Sequence, residues 1–449
     1  MNTLTSVFLL AALTTNCLIN QPVSGQSIRI SDVMKVHEAM RPQNVWPGFL
    51  IDEIPVAVYD STNTYLFFAG KAPEGFIPVE STPDIFVFNG QYPQVRGNSI
   101  VQIDGIWTAT SVLTAYSRRT QEKYSPKDLA GIIVHEQFHN LQRTKHPYWR
   151  QNDGVLLFYP PETNESLSLR RLEKEAFKQA VTTDVITDIA GWATLGLTYR
   201  QERFQRLAQV FVDYERVLQL TEGLSDYIEK TARGTDPLNA SNITNGIAPA
   251  GVRDLGYVEG RWIAMILDQL DPGWKHTLET SDTLYLEEIL AMSIAKIPYT
   301  SKNFSSSEMN RIKAEAERDF LEWQTNREEE MNAYIHSPGY SVEIHSQQNP
   351  LTIRMFDPLE TENLPDGGVF NRVFFSAVNQ KANLRIVNHP CIIHFDDSYR
   401  LVNIDVFGIQ QAPVVHQKEK KFILTFENST IELNYVELQT EGTKYIVTI

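Results

Sequence analysis

The segment Ser125 to Gln142, SPKDLAGIIVHEQFHNLQ, constrains the chain more than any other stretch. Ser125, Pro126 and Asp128 predict a helix start: Ser125 caps, Pro126 takes the first turn where its missing N–H is harmless, and Asp128 completes a capping box while favouring the helix dipole. Residues four apart on such a helix share a face, so His135 and His139 present two imidazoles side by side. Glu136 directly follows the first. Two histidines and a glutamate in this spacing suit one divalent ion, with the carboxylate placed to take a proton from an attacking water. The plainer alternative is a pair of partly buried structural histidines.

A catalytic zinc takes three protein ligands and keeps one position open, so a third ligand is needed. Glu222 in LTEGLSDYIE is the first candidate, because a second helix there puts Glu222 and Asp226 on one face, about one turn apart. Asp226 would then hold the outer nitrogen of a ligand histidine and fix its tautomer. Glu173 and Glu175 in LRRLEKEAF compete as alternative metal ligands; the lysine and arginine around them also fit a solvated face. Gln142, one turn after His139, is placed either to touch a ligand histidine or to serve as a surface or capping residue. Tyr257 in LGYVEG follows a loop and is a candidate donor to a developing oxyanion, although an aromatic opening a packed helix reads equally as core.

HEQFHNLQ and EGLSDY together resemble the gluzincin metallopeptidases, the thermolysin-like and aminopeptidase-like group with HExxH on one helix and a glutamate ligand on a later one. The resemblance implies a mainly helical, zincin-like catalytic domain, Zn2+ held by His135, His139 and Glu222, support from Asp226, and peptide hydrolysis with Glu136 as general base. The stretch from His139 to Glu222 is much longer than in the best-known families, which implies a helical insertion and keeps Glu173 and Glu175 in play. The layout also resembles a set of secreted proteins sharing WPGF, VRGNS, HExxHxxQ, LRRLEKEAF, EGLSDY and GYVEG segments; that similarity implies architecture more than activity.

The expected fold class is α+β and multidomain. Residues 1–25 read as a signal peptide, with an apolar run from Leu4 to about Leu13 and small residues near Gly25, which predicts a secreted or extracytoplasmic protein. A lipid anchor through Cys17 is the lesser reading. Residues 26–115 alternate short β-rich runs with turns and predict a small N-terminal sheet, one strand of which borders the site. Residues 116–340 carry a helical period, with one or two long helices between about Ser166 and Ala232. Residues 341–449 predict about eight strands in a sandwich or barrel.

With 449 residues and a net charge of −15 spread along its length, the chain is a poor partner for nucleic acid or anionic lipid. No apolar run reaches the ~20 residues of a membrane span. Removal of the signal would leave Cys391 alone, so no internal disulfide is expected. The expectation is therefore a secreted zinc metallopeptidase acting on peptide or protein substrates. Its rivals are a non-catalytic binding or structural protein on the same scaffold, whose C-terminal β-module attaches to a surface, glycan or protein, and a zinc hydrolase of a non-peptide amide or ester.

Overall fold

In the computed structural model, which describes residues 28–41, 45–80, 82–114, 123–235, 249–281, 283–418, 421–434 and 437–449, strands gather towards both ends of the chain and helices fill the middle. The expected signal segment, with Cys17, lies outside the described residues. The α+β class holds: ten helices and three mostly antiparallel sheets are present among the described residues.

The N-terminal region does not start with a strand. Helix α1 (Ile30–Ala39) precedes the sheet, because Val33 and His37 stand four apart and form one buried stripe. Six strands follow: β1 (Val56–Tyr59), β2 (Asn63–Phe67), β3 (Ile77–Val79), β4 (Thr82–Asn89), β5 (Ser99–Ile103) and β6 (Ile106–Val112). They form one sheet in the order β3-β4-β2-β1-β6-β5, antiparallel except for the β1/β6 pair. Asp104 and Gly105 both adopt positive φ between β5 and β6, the conformation a two-residue hairpin turn demands. Strand β5 is thereby left as an edge.

Helix α2 (Pro126–Lys145) begins with the predicted capping box. Its apolar side, including Ile133, Val134 and Phe138, is fully buried. Two polar residues of the HEQFHN run pin the helix in place. Gln137 donates to Ile51 O (2.6 Å) and Ile54 O (2.9 Å), and Asn140 donates to Trp107 O on β6 (2.7 Å). The imidazole of His37 meets Gln137 Oε1 at 2.7 Å, which ties α1 to the same helix.

The middle contains α3 (Asn164–Thr182), α4 (Ile186–Phe204), α5 (Gln209–Leu218), α6 (Leu224–Arg233), α7 (Pro249–Leu270), α8 (Trp274–Glu279), α9 (Leu286–Ile294) and α10 (Ser306–Ile335). One or two long helices were expected across α3 to α6; four are found. Thr183 is extended (φ −101°, ψ 147°) and ends α3, as a run of β-branched residues followed by aspartate favours. Between α5 and α6 the chain makes a single π turn, Gln219–Gly223, a form that commonly marks functional positions in helices. Helix α7 crosses this turn at backbone distance: a Cβ on Gly260 would stand 2.7 Å from Gly223 Cα. Only glycine fits on either side.

Strands β7 (Tyr340–His345), β8 (Thr352–Phe356), β9 (Thr361–Asn363), β10 (Val369–Asn371), β11 (Phe374–Val378), β12 (Ala382–Val387), β13 (Cys391–Phe395), β14 (Leu401–Ile409), β15 (Val414–Lys418), β16 (Lys421–Phe426), β17 (Ser429–Asn434), β18 (Glu437–Glu441) and β19 (Lys444–Thr448) exceed the eight expected. They form a seven-stranded sheet (β18-β19-β7-β14-β13-β10-β9) and a six-stranded one (β15-β16-β17-β12-β11-β8). Alternate residues of both, such as Ile344 and Ile404 from one and Leu384 and Ile431 from the other, share a single core. Cys391 is free and buried there.

These facing sheets grip the helical region through the 3-10 turn Asp153–Phe158. Leu157 enters their core, and Phe158 packs edge-on to Phe395 and Tyr399 at 4.7 and 5.0 Å between ring centres. Asn363 on β9 donates to Leu156 O (2.9 Å) and also to Tyr159 O. No described helix is long and apolar enough to cross a membrane.

Candidate metal centre

Helix α2 and the π turn bring three donors together: one ligand atom each from His135, His139 and Glu222, all within 4.8 Å of one another. Glu222 Oε2 lies 3.4 Å from His135 Nε2 and 3.2 Å from His139 Nε2. Ligand bonds of 2.0–2.1 Å in a tetrahedron put neighbouring donors about 3.3 Å apart, so the two spacings to Glu222 match edges of a zinc site. The π turn matters here. One extra residue in the helical turn brings Glu222 over α2 while Gln219, three residues earlier, faces the opposite way into a second buried cluster.

Hydrogen bonds fix which atoms carry protons. The Gln142 amide nitrogen donates to Leu220 O (2.9 Å) and Thr221 O (3.0 Å), so its oxygen must face His139 Nδ1, 2.8 Å away. That nitrogen is then the N–H, and His139 Nε2 lies within hydrogen-bond reach of Glu222 Oε2, 3.2 Å away. His135 has a carboxylate on the same side, Glu229, whose Oε2 stands 3.5 Å from Nδ1 at ion-pair distance and without hydrogen-bond geometry. The other Glu222 oxygen is already taken, accepting from Arg253 Nη2 (2.6 Å) and Gln151 Nε2 (2.9 Å). Three ligand-type atoms, His135 Nε2, His139 Nε2 and Glu222 Oε2, thus face one another, a donor set of the kind that suits zinc.

The ionisation of these groups follows. Burial opposes the charge on His135, but Glu222 and Glu229 more than offset it and push its pKa up to about 10. Burial likewise works against Glu222, yet Arg253 and His139 hold its carboxyl well below the usual range. Both shifts describe a pocket made to hold positive charge. Glu136 differs: burial raises its pKa, with His139 and His135 pulling only partly the other way. Among the described residues no hydrogen bond ties its carboxylate, which leaves it free to move a proton.

Glu136, His139 and Glu222 open onto a cavity of about 280 Å³. Ile100 of the edge strand β5 and Trp107 of β6 form one wall, as a strand bordering the site was expected to do. The ring of Tyr257 on α7 stacks on that of His135, 6.0 Å apart and 15° from parallel. Burial and the neighbouring Glu222 hold the Tyr257 hydroxyl well above its ordinary pKa, so it stays a neutral donor.

Three sequence expectations are placed elsewhere. Asp226 does not reach a ligand histidine; it pairs with Arg261 and stands 3.5 Å from Lys230. The supporting carboxylate is Glu229 instead, seven residues after Glu222 and so on the same helical face. Glu173 is fully buried between Arg200 and Arg203 (2.7 and 3.0 Å), away from the three donors. Glu175 accepts from Gln179 at 2.9 Å on the outer side of α3, which fits its solvated-face reading. Arg253, Gln151 and Ser225, which stands 3.2 Å from His139 Nδ1, were not foreseen; only the serine lay inside a motif. Comparison with protein-family models, with curated proteins and with solved structures returned no match.

Proposed function

We propose that this protein is a zinc-dependent hydrolase acting on peptide bonds outside the cytoplasm. The observation that carries the reading is the convergence of three ligand-type atoms, His135 Nε2, His139 Nε2 and Glu222 Oε2, all within 4.8 Å of one another, beside a carboxylate that nothing else engages. When bound, zinc polarises a carbonyl and lowers the pKa of water from about 16 to near 7.

The chain's own residues supply the rest. Glu136, raised in pKa by burial, takes the proton of the attacking water and returns it to the leaving amine. Tyr257, whose ring stacks on that of His135, would donate to the oxygen of the tetrahedral intermediate. Gln142 on His139 Nδ1 and Glu229 facing His135 Nδ1 would orient the two rings so that each Nε2 serves the metal. Arg253 orients Glu222 and neutralises one of its oxygens. A peptide is favoured over other amides because β5 is an edge strand along the cleft, so its outer N–H and C=O groups suit an extended chain. Export rests on the apolar run at Leu4–Leu13.

Glu136→Gln is the test. The variant should bind zinc as the parent does and lose about 10²–10⁴ in turnover of a peptide library. Unchanged turnover would remove Glu136 from the mechanism, and cleavage confined to non-peptide esters would redirect the substrate class.

A further inference from the structure

Two arginines, half-buried Arg143 and exposed Arg150, face the cleft and lack the carboxylate partner that the buried arginines among the described residues have. Arg143 and Arg150 line the cavity that contains Glu136 and His139. In a chain of net charge −15, Arg170, Arg200, Arg203, Arg253 and Arg261 each have a carboxylate within 3.4 Å. Among the described residues, neither Arg143 nor Arg150 pairs with one. The charged neighbour that bears on Arg143 is Arg150 itself, whose like charge adds to partial burial in lowering the Arg143 pKa.

Arg143 is also held ready. It follows His139 by four residues on α2, so it stands one turn along the same face, about 6 Å by helical rise. Its guanidinium carbon lies 3.8 Å from the centre of the Trp107 ring, and Trp107 is anchored through its carbonyl by Asn140. A guanidinium stacked on an indole keeps its edge free for a bidentate acceptor and loses little freedom on binding one. Two unpaired cations sharing a cleft repel each other, and an anion between them relieves that repulsion.

We infer that Arg143 and Arg150 form a carboxylate-binding subsite that selects acidic peptides. One helical turn corresponds to about two residues of extended chain, so the carboxylate belongs near the scissile bond: an Asp or Glu side chain, or a free C-terminus. The inference rests on the hydrolase reading for its purpose, but the binding site itself can be tested without turnover.

The probe is a pair of matched pentapeptide sets, one differing as internal Glu against Gln and the other as free against amidated C-terminus. Binding is measured by calorimetry on the zinc-loaded Glu136→Gln protein. At least one set should show its acidic member bound about tenfold or more tightly, the gain expected of a charge-assisted hydrogen bond, and the set that does so identifies the source. Arg143→Gln should abolish the preference, and Arg143→Lys should keep part of it. Equal binding within both sets, no binding by any peptide, or a preference that survives Arg143→Gln together with Arg150→Gln would overturn the subsite. A clear preference with no cleavage by the unmodified protein would leave the subsite standing and sink the hydrolase.

Discussion

The π turn at Gln219–Gly223 feeds two buried polar clusters, and they are satisfied in opposite ways. On one side Gln219 joins Arg200, Arg203 and Arg170, whose guanidinium groups meet Glu173, Glu215, Glu259, Glu287 and Glu162 at 2.7–3.4 Å. Burial works against the charge on Glu215, but Arg203 and Arg170 hold its pKa down to about 2. On the other side Glu222 has Arg253 on one oxygen and two imidazole nitrogens facing the second. The first cluster contains its own cations. The second gathers histidines in place of arginines around its carboxylate, groups that can give up a proton to a metal where a guanidinium cannot.

The largest effect that would sharpen this contrast is on stability. Arg203→Ala leaves Glu173 and Glu215 buried with one partner fewer, and should cost about 3–5 kcal/mol in urea unfolding while leaving zinc affinity within about twofold. A loss of zinc affinity as large as the loss of stability would show that the clusters are one unit. Next in size, Gln142→Ala frees the His139 tautomer and should weaken zinc binding about 10–100-fold in a chelator competition. Unchanged affinity would mean that the lone-pair assignment is mistaken.

The smallest effect is a slope. Burial and Glu173, only partly answered by Arg200, push Glu259 up to about 7. A carboxyl raised in the folded state contributes stability that is complete below its unfolded pKa, near 4.5, and is lost as pH rises through 7. Unfolding free energies measured across that window should therefore decline for the parent, and Glu259→Gln should flatten the decline. An identical slope in both would assign it to another group.

Much of the site was legible because its signals are local. Ser125 and Asp128 announce the helix start, and the four-residue spacing of His135 and His139 puts them on one face; both readings hold in the fold. Glu222 was legible as a candidate, since a small residue after it permits the close crossing by Gly260. The π turn was not. Nor was the choice between Asp226 and Glu229, four and seven residues after Glu222 and both near its face: Asp226 is taken by Arg261 while Glu229 reaches His135. Glu173 misled for a different reason. Its partners lie 27 and 30 residues away on α4, and adjacent lysines and arginines in the sequence suggested solvent. In the fold, α1 was missed because its stripe of Val33 and His37 is short and sits among β-rich runs. The C-terminal strands were recognised by alternation, but β9 and β10, of three residues each, fall below what alternation can show.

The central claim is that the three convergent donors hold one zinc ion. Anomalous diffraction at the zinc edge from zinc-loaded crystals tests it most directly. The account predicts one strong peak, about 2.0–2.2 Å from His135 Nε2, His139 Nε2 and Glu222 Oε2, with Arg253 still on the other Glu222 oxygen. An empty site, or zinc bound only elsewhere, would contradict it.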